Sequence, residues 1–122
     1  MILVVDDDDV ARATYEYWLK SKGLSVRAVQ DGRAALNVLE GATVSAVLLD
    51  LFMPGMEGIE TLRRIKRDHP GTRVLVMSGW RYAGMDMLKA AAALGADATQ
   101  EKPFMLDQLM TFIKGTALAP SV

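Results

Sequence analysis

Cysteine is absent from the 122-residue sequence, and histidine occurs only once, at position 69. The absence of cysteine excludes disulfide bonds and thiolate metal sites. It also means that cysteine content gives no information on the redox state of the surrounding compartment. The lone histidine precedes Pro70 at the predicted end of a helix, so we interpret His69 as a solvated residue. Thiol chemistry is therefore excluded from the functions of this chain.

The chain also has no large excess of charge of either sign. Its 14 lysine and arginine residues nearly balance its 15 aspartate and glutamate residues, for a formal net charge of −1. Such a balance provides no electrostatic footprint for nucleic acid or for an anionic membrane surface. No apolar run is long enough to span a bilayer, and the first residues enter an apolar strand without a basic leader. We therefore expect cytoplasmic residence, with neither direct nucleic-acid binding nor membrane binding.

The glycine patterns that hold nucleotides are missing as well. Neither GxGxxG nor a phosphate-loop lysine motif occurs, which argues against a nucleotide or dinucleotide cofactor. The composition, with 51% hydrophobic and 24% charged residues, is ordinary for a globular protein. A chain of this length is predicted to form one domain with its own hydrophobic core.

Short apolar runs alternate with longer helical patterns. This alternation predicts a parallel sheet with helices on both faces, because parallel strands need crossover connections. Strands are predicted at about 2–6, 25–29, 45–50, 73–77 and 97–101. The continuous apolar runs ILVV, AVLL and VLVM mark strands 1, 3 and 4 as central, whereas the more polar strands 2 and 5 suit edges. We predict an α/β fold: a flavodoxin-like, doubly wound five-stranded sheet of order 2-1-3-4-5 with five helices.

The first helix follows the acidic run at the end of the first strand. Asp9 is predicted to cap its N-terminus, whereas Asp8 is assigned to the periphery of the acidic cluster. Asp31 is predicted to cap the second helix in the same way. Apolar residues at near-helical intervals predict the inner face of the first helix. These residues are Val10, Ala13, Tyr17 and Leu19.

Two of the apolar strands end in acid. Residues 2–5 lead into Asp6 and Asp7, and residues 46–49 lead into Asp50. Because the carboxyl ends of neighbouring parallel strands open onto one crevice, we expect these carboxylates to converge. Clustered carboxylates repel one another and lose hydration, so they require a cation to remain charged. Mg²⁺, or Mn²⁺, is predicted as that cation because hard divalent ions prefer oxygen ligands.

Reactive side chains follow two further strands, Ser78 after the fourth and Lys102 after the fifth. Asp50 stands alone at the centre, where its carboxylate could attack phosphorus to form an acyl phosphate. Asp6 and Asp7 could hold the metal ion, which would neutralise charge on the phosphoryl oxygens. Lys102 would supply a compact cation, and Ser78 a hydroxyl donor once the phosphoryl group has arrived.

Four fragments in register resemble the receiver domains of two-component response regulators. They are ILVVDD, AVLLDLFMPGMEG, VLVMSG and GADATQEKPF, in that order. The resemblance covers essentially the whole chain and suggests the single-domain, chemotaxis-regulator-like form, with the receiver domain at 1–117 and a short tail at 118–122. A receiver domain cut from a longer regulator would have the same sequence features. The resemblance implies that Asp50 is the phosphoacceptor and also contacts the metal ion. It implies that the further Mg²⁺ contacts are Asp6, Asp7 and the backbone carbonyl of Phe52. Ser78 would be the hydroxyl switch residue, and Lys102 the lysine bonded to the acceptor.

The chain departs from the pattern of similar domains. Thr99 stands where such domains often carry an aromatic rotamer switch, so aromatic–hydroxyl coupling is not expected in its usual form. Two bulky residues, Phe52 and Trp80, stand two positions after Asp50 and Ser78 respectively. In similar domains these positions tune the access of water to the acyl phosphate. Our hypothesis is that large apolar groups there slow hydrolysis and lengthen the signal.

The resemblance implies a signalling switch rather than an enzyme that acts on other molecules. A histidine kinase or a phosphotransfer protein would present phosphohistidine, and self-phosphorylation and self-dephosphorylation would be confined to Asp50. The phosphorylated domain would bind a downstream protein through the face formed by helix 4, strand 5 and helix 5. Two alternatives stay open: a haloacid dehalogenase-like phosphatase that uses Asp6 and Asp8, and an interaction module that works without phosphorylation.

Overall fold

The computed structural model describes residues 1–51, 57–78, 87–101 and 106–115. Strands and helices alternate along these ranges. The elements are β1 (Ile2–Val5), α1 (Asp9–Ser21), β2 (Val26–Val29), α2 (Gly32–Gly41), β3 (Ala46–Asp50), α3 (Glu57–Asp68), β4 (Arg73–Ser78), α4 (Met87–Ala93), β5 (Ala98–Glu101) and α5 (Leu106–Lys114). Each strand boundary falls within one residue of its prediction from the apolar runs.

The five strands of the described chain run parallel in a sheet of order β2-β1-β3-β4-β5. This arrangement confirms the predicted doubly wound fold and its strand order. β1 and β3 are buried throughout, and β4 is buried after its first residue, because helices cover both faces of the sheet centre. β2 and β5 contain only half-buried and exposed residues, as expected of edge strands.

The sheet separates two hydrophobic clusters, because successive side chains of a strand point to opposite faces. One face packs against α2, α3 and α4, and its strand residues are Leu3, Val5, Val47, Leu49, Val74 and Val76. The other face packs against α1 and α5, and its strand residues are Ile2, Val4, Ala46, Leu48, Leu75 and Met77. Full burial of a large aliphatic side chain contributes about 1.5–3 kcal/mol, so the sheet centre is firmly held.

The start of α1 differs from the prediction. Asp8 rather than Asp9 is the N-cap, and its Oδ1 accepts hydrogen bonds from the backbone amides of Val10 (2.9 Å) and Ala11 (3.1 Å). The prediction was wrong by one residue because Asp8 keeps the extended backbone of a cap, with φ −80° and ψ 117°. Asp9 is already helical, and its negative charge in the first turn suits the helix dipole.

The predicted inner face of α1 was right for Leu19, which is buried, and wrong for its three other residues. Val10 and Tyr17 are 76% and 72% exposed, and Ala13 is exposed as well. Leu19 lies about half a turn around the helix from Val10, at ~100° per residue, so no single face could hold both. The side chains that pack on the sheet have the i, i+4, i+7, i+8 spacing of a helical stripe. They are Ala11, Tyr15, Trp18 and Leu19.

Asp31 caps α2 as predicted, with its Oδ1 accepting a hydrogen bond from the Ala34 amide at 2.8 Å. In α3 the residues Ile59, Leu62 and Ile65 are buried against the sheet at helical intervals. Within the described ranges, none of the helices combines the length and the hydrophobicity that a bilayer crossing requires.

The first turn of α3 lies directly against the end of β3. A Cβ atom at Gly58 would come within 2.9 Å of both the Cα and the carbonyl oxygen of Leu51, and within 3.2 Å of the Asp50 carbonyl oxygen. Backbone atoms in a close-packed interior cannot turn aside as a flexible side chain can. Gly58 therefore determines how closely α3 approaches the backbone of Asp50.

Gly58→Ala is expected to lower the free energy of unfolding by about 1–3 kcal/mol, because the added methyl group overpacks a rigid contact. Gly41→Ala is the matched control, since Gly41 is also helical and no atom lies within 4 Å of where its Cβ would be. The control is expected to be neutral or to gain up to about 1 kcal/mol. Urea unfolding measures both, and equal effects would contradict the close approach of α3 to β3.

Candidate functional site

Three carboxylates converge at the carboxyl edge of the sheet. Asp6 and Asp7 follow β1, and Asp50 is the last residue of β3. β1 and β3 pair in parallel with Val5 opposite Leu49, so the next residues of the two strands, Asp6 and Asp50, come side by side. One carboxylate oxygen from each of the three aspartates lies within 4.8 Å of the other two. The structure thus brings together the acids at the two strand ends.

Two of these carboxylates are withdrawn from water and the third is not. Asp6 is 0% exposed and Asp50 is 3% exposed, whereas Asp7 is exposed. Burial removes the hydration that stabilises a carboxylate. Two like charges at this spacing also repel each other by on the order of 3 kcal/mol at an effective dielectric of about 20. A cation that reached the three acids from the side of Asp7 would offset both penalties.

The turn between β1 and α1 is closed by hydrogen bonds to its own acids. The Asp8 amide donates to Oδ1 of Asp6 at 2.9 Å. In α1, Arg12 donates from one guanidinium nitrogen to the backbone carbonyl of Asp6 at 2.9 Å and from the other to the carboxylate of Asp9. The sequence analysis missed Arg12, for which the one available signal was a basic residue close after the acidic run.

Ser78 ends β4 on the other side of Asp50. Met77 is paired with Asp50, so Ser78 lies one residue further along the neighbouring strand. The Leu51 amide donates to the Met77 carbonyl at 2.9 Å and continues this pairing beyond the end of β3. Ser78 is 4% exposed, which places it in the same buried edge of the sheet as Asp50.

The other predicted site residues are only partly described. Thr99 lies in the edge strand β5 and is exposed. β5 ends at Glu101, so the chain arrives at the carboxyl edge of the sheet immediately before Lys102. Lys102 itself, together with Phe52 and Trp80, lies outside the described residues. The roles of these three residues stay predictions.

A further contact that the sequence analysis missed joins the start of α3 to the start of α2. Oε1 of Glu57 accepts a hydrogen bond from the Gly32 amide at 2.8 Å. Gly32 is buried, and the position of its missing Cβ overlaps the side chain of Thr61, so a larger residue there would require the buried Thr61 side chain to move. Glu57 thus fixes the start of the helix that follows Asp50 in the chain.

The sequence matches the family described as the response regulator receiver domain over residues 2–114. The chain belongs to this family. The match confirms the resemblance that the four sequence fragments carry. Receiver domains interact with histidine kinases or with phosphotransfer proteins, and they are generally not enzymes in their own right.

Relatives of this receiver domain include longer regulators. The transcriptional regulatory protein FixJ of Bradyrhizobium diazoefficiens is 35% identical over 113 residues, which cover 93% of this chain and 54% of FixJ. The response regulator MprA of Mycolicibacterium vanbaalenii is 36% identical over 114 residues, which cover 89% of this chain and 46% of MprA. The chain thus spans about half the length of these two relatives.

Solved receiver domains share the fold. A CheY-like receiver domain protein from Methanospirillum hungatei matches with a TM-score of 0.84 at 27% identity, covering 93% of this chain and 89% of that one. The receiver domain of NtrX from Brucella abortus matches with a TM-score of 0.84 at 30% identity, covering 93% of this chain and 95% of that one. Family and fold support a phosphoacceptor role, and the haloacid dehalogenase-like alternative is not supported.

Convergence of the three carboxylates predicts that the loss of one charge stabilises the metal-free protein. Asp50→Asn is expected to raise the free energy of unfolding in EDTA by about 1–3 kcal/mol, because it removes repulsion within the cluster. Mg²⁺ is expected to stabilise the wild type more than this variant, since a ligand stabilises the state that binds it.

Urea titrations with and without Mg²⁺ make this measurement. Glu40→Gln is the control, because it removes an exposed negative charge from α2 at a distance from the cluster. If Asp50→Asn is no more stable in EDTA than Glu40→Gln, the predicted repulsion within the carboxylate cluster is contradicted.

Proposed function

We propose that this receiver domain accepts a phosphoryl group on Asp50 in a reaction that depends on a divalent cation, and that phosphorylation changes a protein-binding surface. One observation carries the proposal: Asp50 is nearly buried and has two other carboxylates within 4.8 Å. Strands lie on both sides of β3, so the backbone of Asp50 is held in place. A fixed carboxylate suits nucleophilic attack because little reorganisation precedes the reaction.

The carboxylate cluster fits a hard divalent cation. It offers three oxygen ligands, of which two are buried, and Mg²⁺ and Mn²⁺ prefer such oxygens. Asp6, Asp7 and Asp50 would hold the ion, together with the backbone carbonyl of Phe52 that the family resemblance implies. A bound ion would supply positive charge against the negative charge of the phosphoryl oxygens.

In the proposed transfer, a carboxylate oxygen of Asp50 attacks the phosphorus of a phosphohistidine on a histidine kinase or phosphotransfer protein. The new O–P bond forms as the N–P bond breaks, and the donor histidine, protonated on its other ring nitrogen, leaves as neutral imidazole. Lys102 provides an ammonium group for one phosphoryl oxygen. The Ser78 hydroxyl donates a hydrogen bond to another.

The switch follows from the added charge. A phosphorylated side chain carries about −1.5 to −2 charges at neutral pH and recruits new hydrogen-bond donors. Ser78 is the donor proposed to move, and it pairs with Glu101 of β5 across the sheet edge. Its displacement would bias the surface formed by α4, β5 and α5, which binds the downstream protein. Exposed Thr99 lies on that surface.

Several features of the proposal come from the sequence alone. Cytoplasmic residence, the domain limit at residue 117 and the tail at 118–122 stay predictions. An interaction module that works without phosphorylation stays the alternative function. It differs from the proposal in one measurable respect, because it leaves Asp50 unmodified in the presence of a phosphodonor.

Incubation with Mg²⁺ and acetyl phosphate is expected to add the mass of one phosphoryl group to the wild-type protein, as measured by intact-mass spectrometry. Asp50→Asn, and wild type in EDTA, are expected to stay unmodified. Asp68→Asn is the control, because it changes an exposed aspartate at the end of α3, and it is expected to label normally. Equal labelling of Asp50→Asn and wild type would overturn Asp50 as the acceptor.

Phe52→Ala and Trp80→Ala are expected to shorten the life of the acyl phosphate, because smaller side chains admit water more readily. The expected acceleration of phosphate loss is up to about tenfold, equivalent to about 1.4 kcal/mol in the barrier. Phosphate release after removal of the donor measures it. Tyr17→Ala, which truncates an exposed aromatic residue on α1, is the control. Unchanged rates in both variants would reject the hypothesis.

A further inference from the structure

Arg12 joins the first turns of α1 to the end of β1. One of its guanidinium nitrogens donates to the backbone carbonyl of Asp6 at 2.9 Å, and another donates to the Asp9 carboxylate. Its side chain is only 21% exposed, although it carries a full charge. This degree of burial fits a guanidinium held in place by its two acceptors.

The carbonyl that Arg12 binds belongs to the peptide group between Asp6 and Asp7. Because a peptide group is planar, a fixed carbonyl also fixes the orientation of the following amide and the direction in which the chain leaves Asp6. The Asp8 amide holds the other part of the turn, donating to Oδ1 of Asp6 at 2.9 Å. The orientation of both carboxylates thus depends on a turn that Arg12 closes.

We propose that Arg12 is a positioning residue for the divalent cation: its guanidinium fork holds the Asp6–Asp7 peptide so that both carboxylates face the same ion. The inference rests on the proposed function, because it assumes that the cluster of Asp6, Asp7 and Asp50 binds a cation. It assigns to Arg12 no contact with the ion or with the phosphoryl group.

Positioning and simple charge predict opposite signs for the loss of Arg12. A cation that lies near the site repels Mg²⁺, so removal of its charge alone would strengthen Mg²⁺ binding. Loss of the fork instead loosens the Asp6–Asp7 peptide and weakens Mg²⁺ binding. Lysine separates the two effects, since it keeps the charge as a point but cannot form the planar fork.

The Mg²⁺ dissociation constant, measured by isothermal titration calorimetry, tests the proposal on wild type, Arg12→Lys and Arg12→Met. Arg12→Lys is expected to bind Mg²⁺ about tenfold more weakly, the lower end of the effect seen when a partner of a metal ligand is removed. Arg12→Met is expected to bind Mg²⁺ more weakly than wild type but less so than Arg12→Lys, because loss of the positive charge removes a repulsion. Lysine and methionine keep the long stem and high helix propensity of arginine, so α1 is retained. Lys20→Met is the matched control on the same helix, where Lys20 pairs with Glu16 at 3.1 Å, and it is expected to leave the constant unchanged.

A second measurement separates positioning from general damage. At saturating Mg²⁺ the Arg12 variants are expected to recover the wild-type rate of labelling by acetyl phosphate, because only the affinity for the ion is reduced. Unchanged or tighter Mg²⁺ binding by Arg12→Met would overturn the inference while the proposed function stood. Wild-type protein that neither bound Mg²⁺ nor became labelled would instead overturn the proposed function, and this inference with it.

Discussion

Repulsion among the three carboxylates at the ends of β1 and β3 is an unfavourable interaction that the rest of the structure must offset. Asp6 and Asp50 cannot move apart, because β1 and β3 are paired in a fixed register and are buried on both faces. A slip of one residue would turn every side chain of a strand to the other face of the sheet. The hydrophobic core therefore supplies the free energy that keeps Asp6 next to Asp50.

The same edge is constrained from the other side by α3. Gly58 brings the first turn of α3 onto the backbone of Asp50 and Leu51, and Glu57 ties that turn to the Gly32 amide of α2. A contact without spare volume transmits a displacement instead of absorbing it. The acceptor strand β3 is thus bounded by rigid contacts. Among the described residues, few neighbours of Asp50 can move to accommodate a change in its charge.

The sequence was sufficient for the sheet and for the acidic cluster, because continuous apolar runs report burial on both faces and the acids directly follow two of them. It was not sufficient for α1, where two helical stripes are both apolar enough to face the core. Only Leu19 distinguished them, since it cannot share a face with Val10. The hydrogen bonds of Arg12 and Glu57 could not be predicted for another reason. The partner of a polar side chain is known only once the helices and strands are packed together.

The strand register also shows that the proposed conformational change needs to cross only one strand to reach the proposed binding surface. Asp50 is opposite Met77, and Ser78, one residue further along β4, is opposite Glu101 of β5. β5 is an edge strand with exposed residues, and only β4 separates it from the acceptor strand, so a single strand lies between the acceptor strand and the surface proposed to bind a partner. Because edge strands have a neighbour on one side only, they yield to a displacement more readily than central ones. Placement of the acceptor on β3 and the hydroxyl on β4 therefore directs any response toward β5, away from the tightly closed turn that holds Asp6.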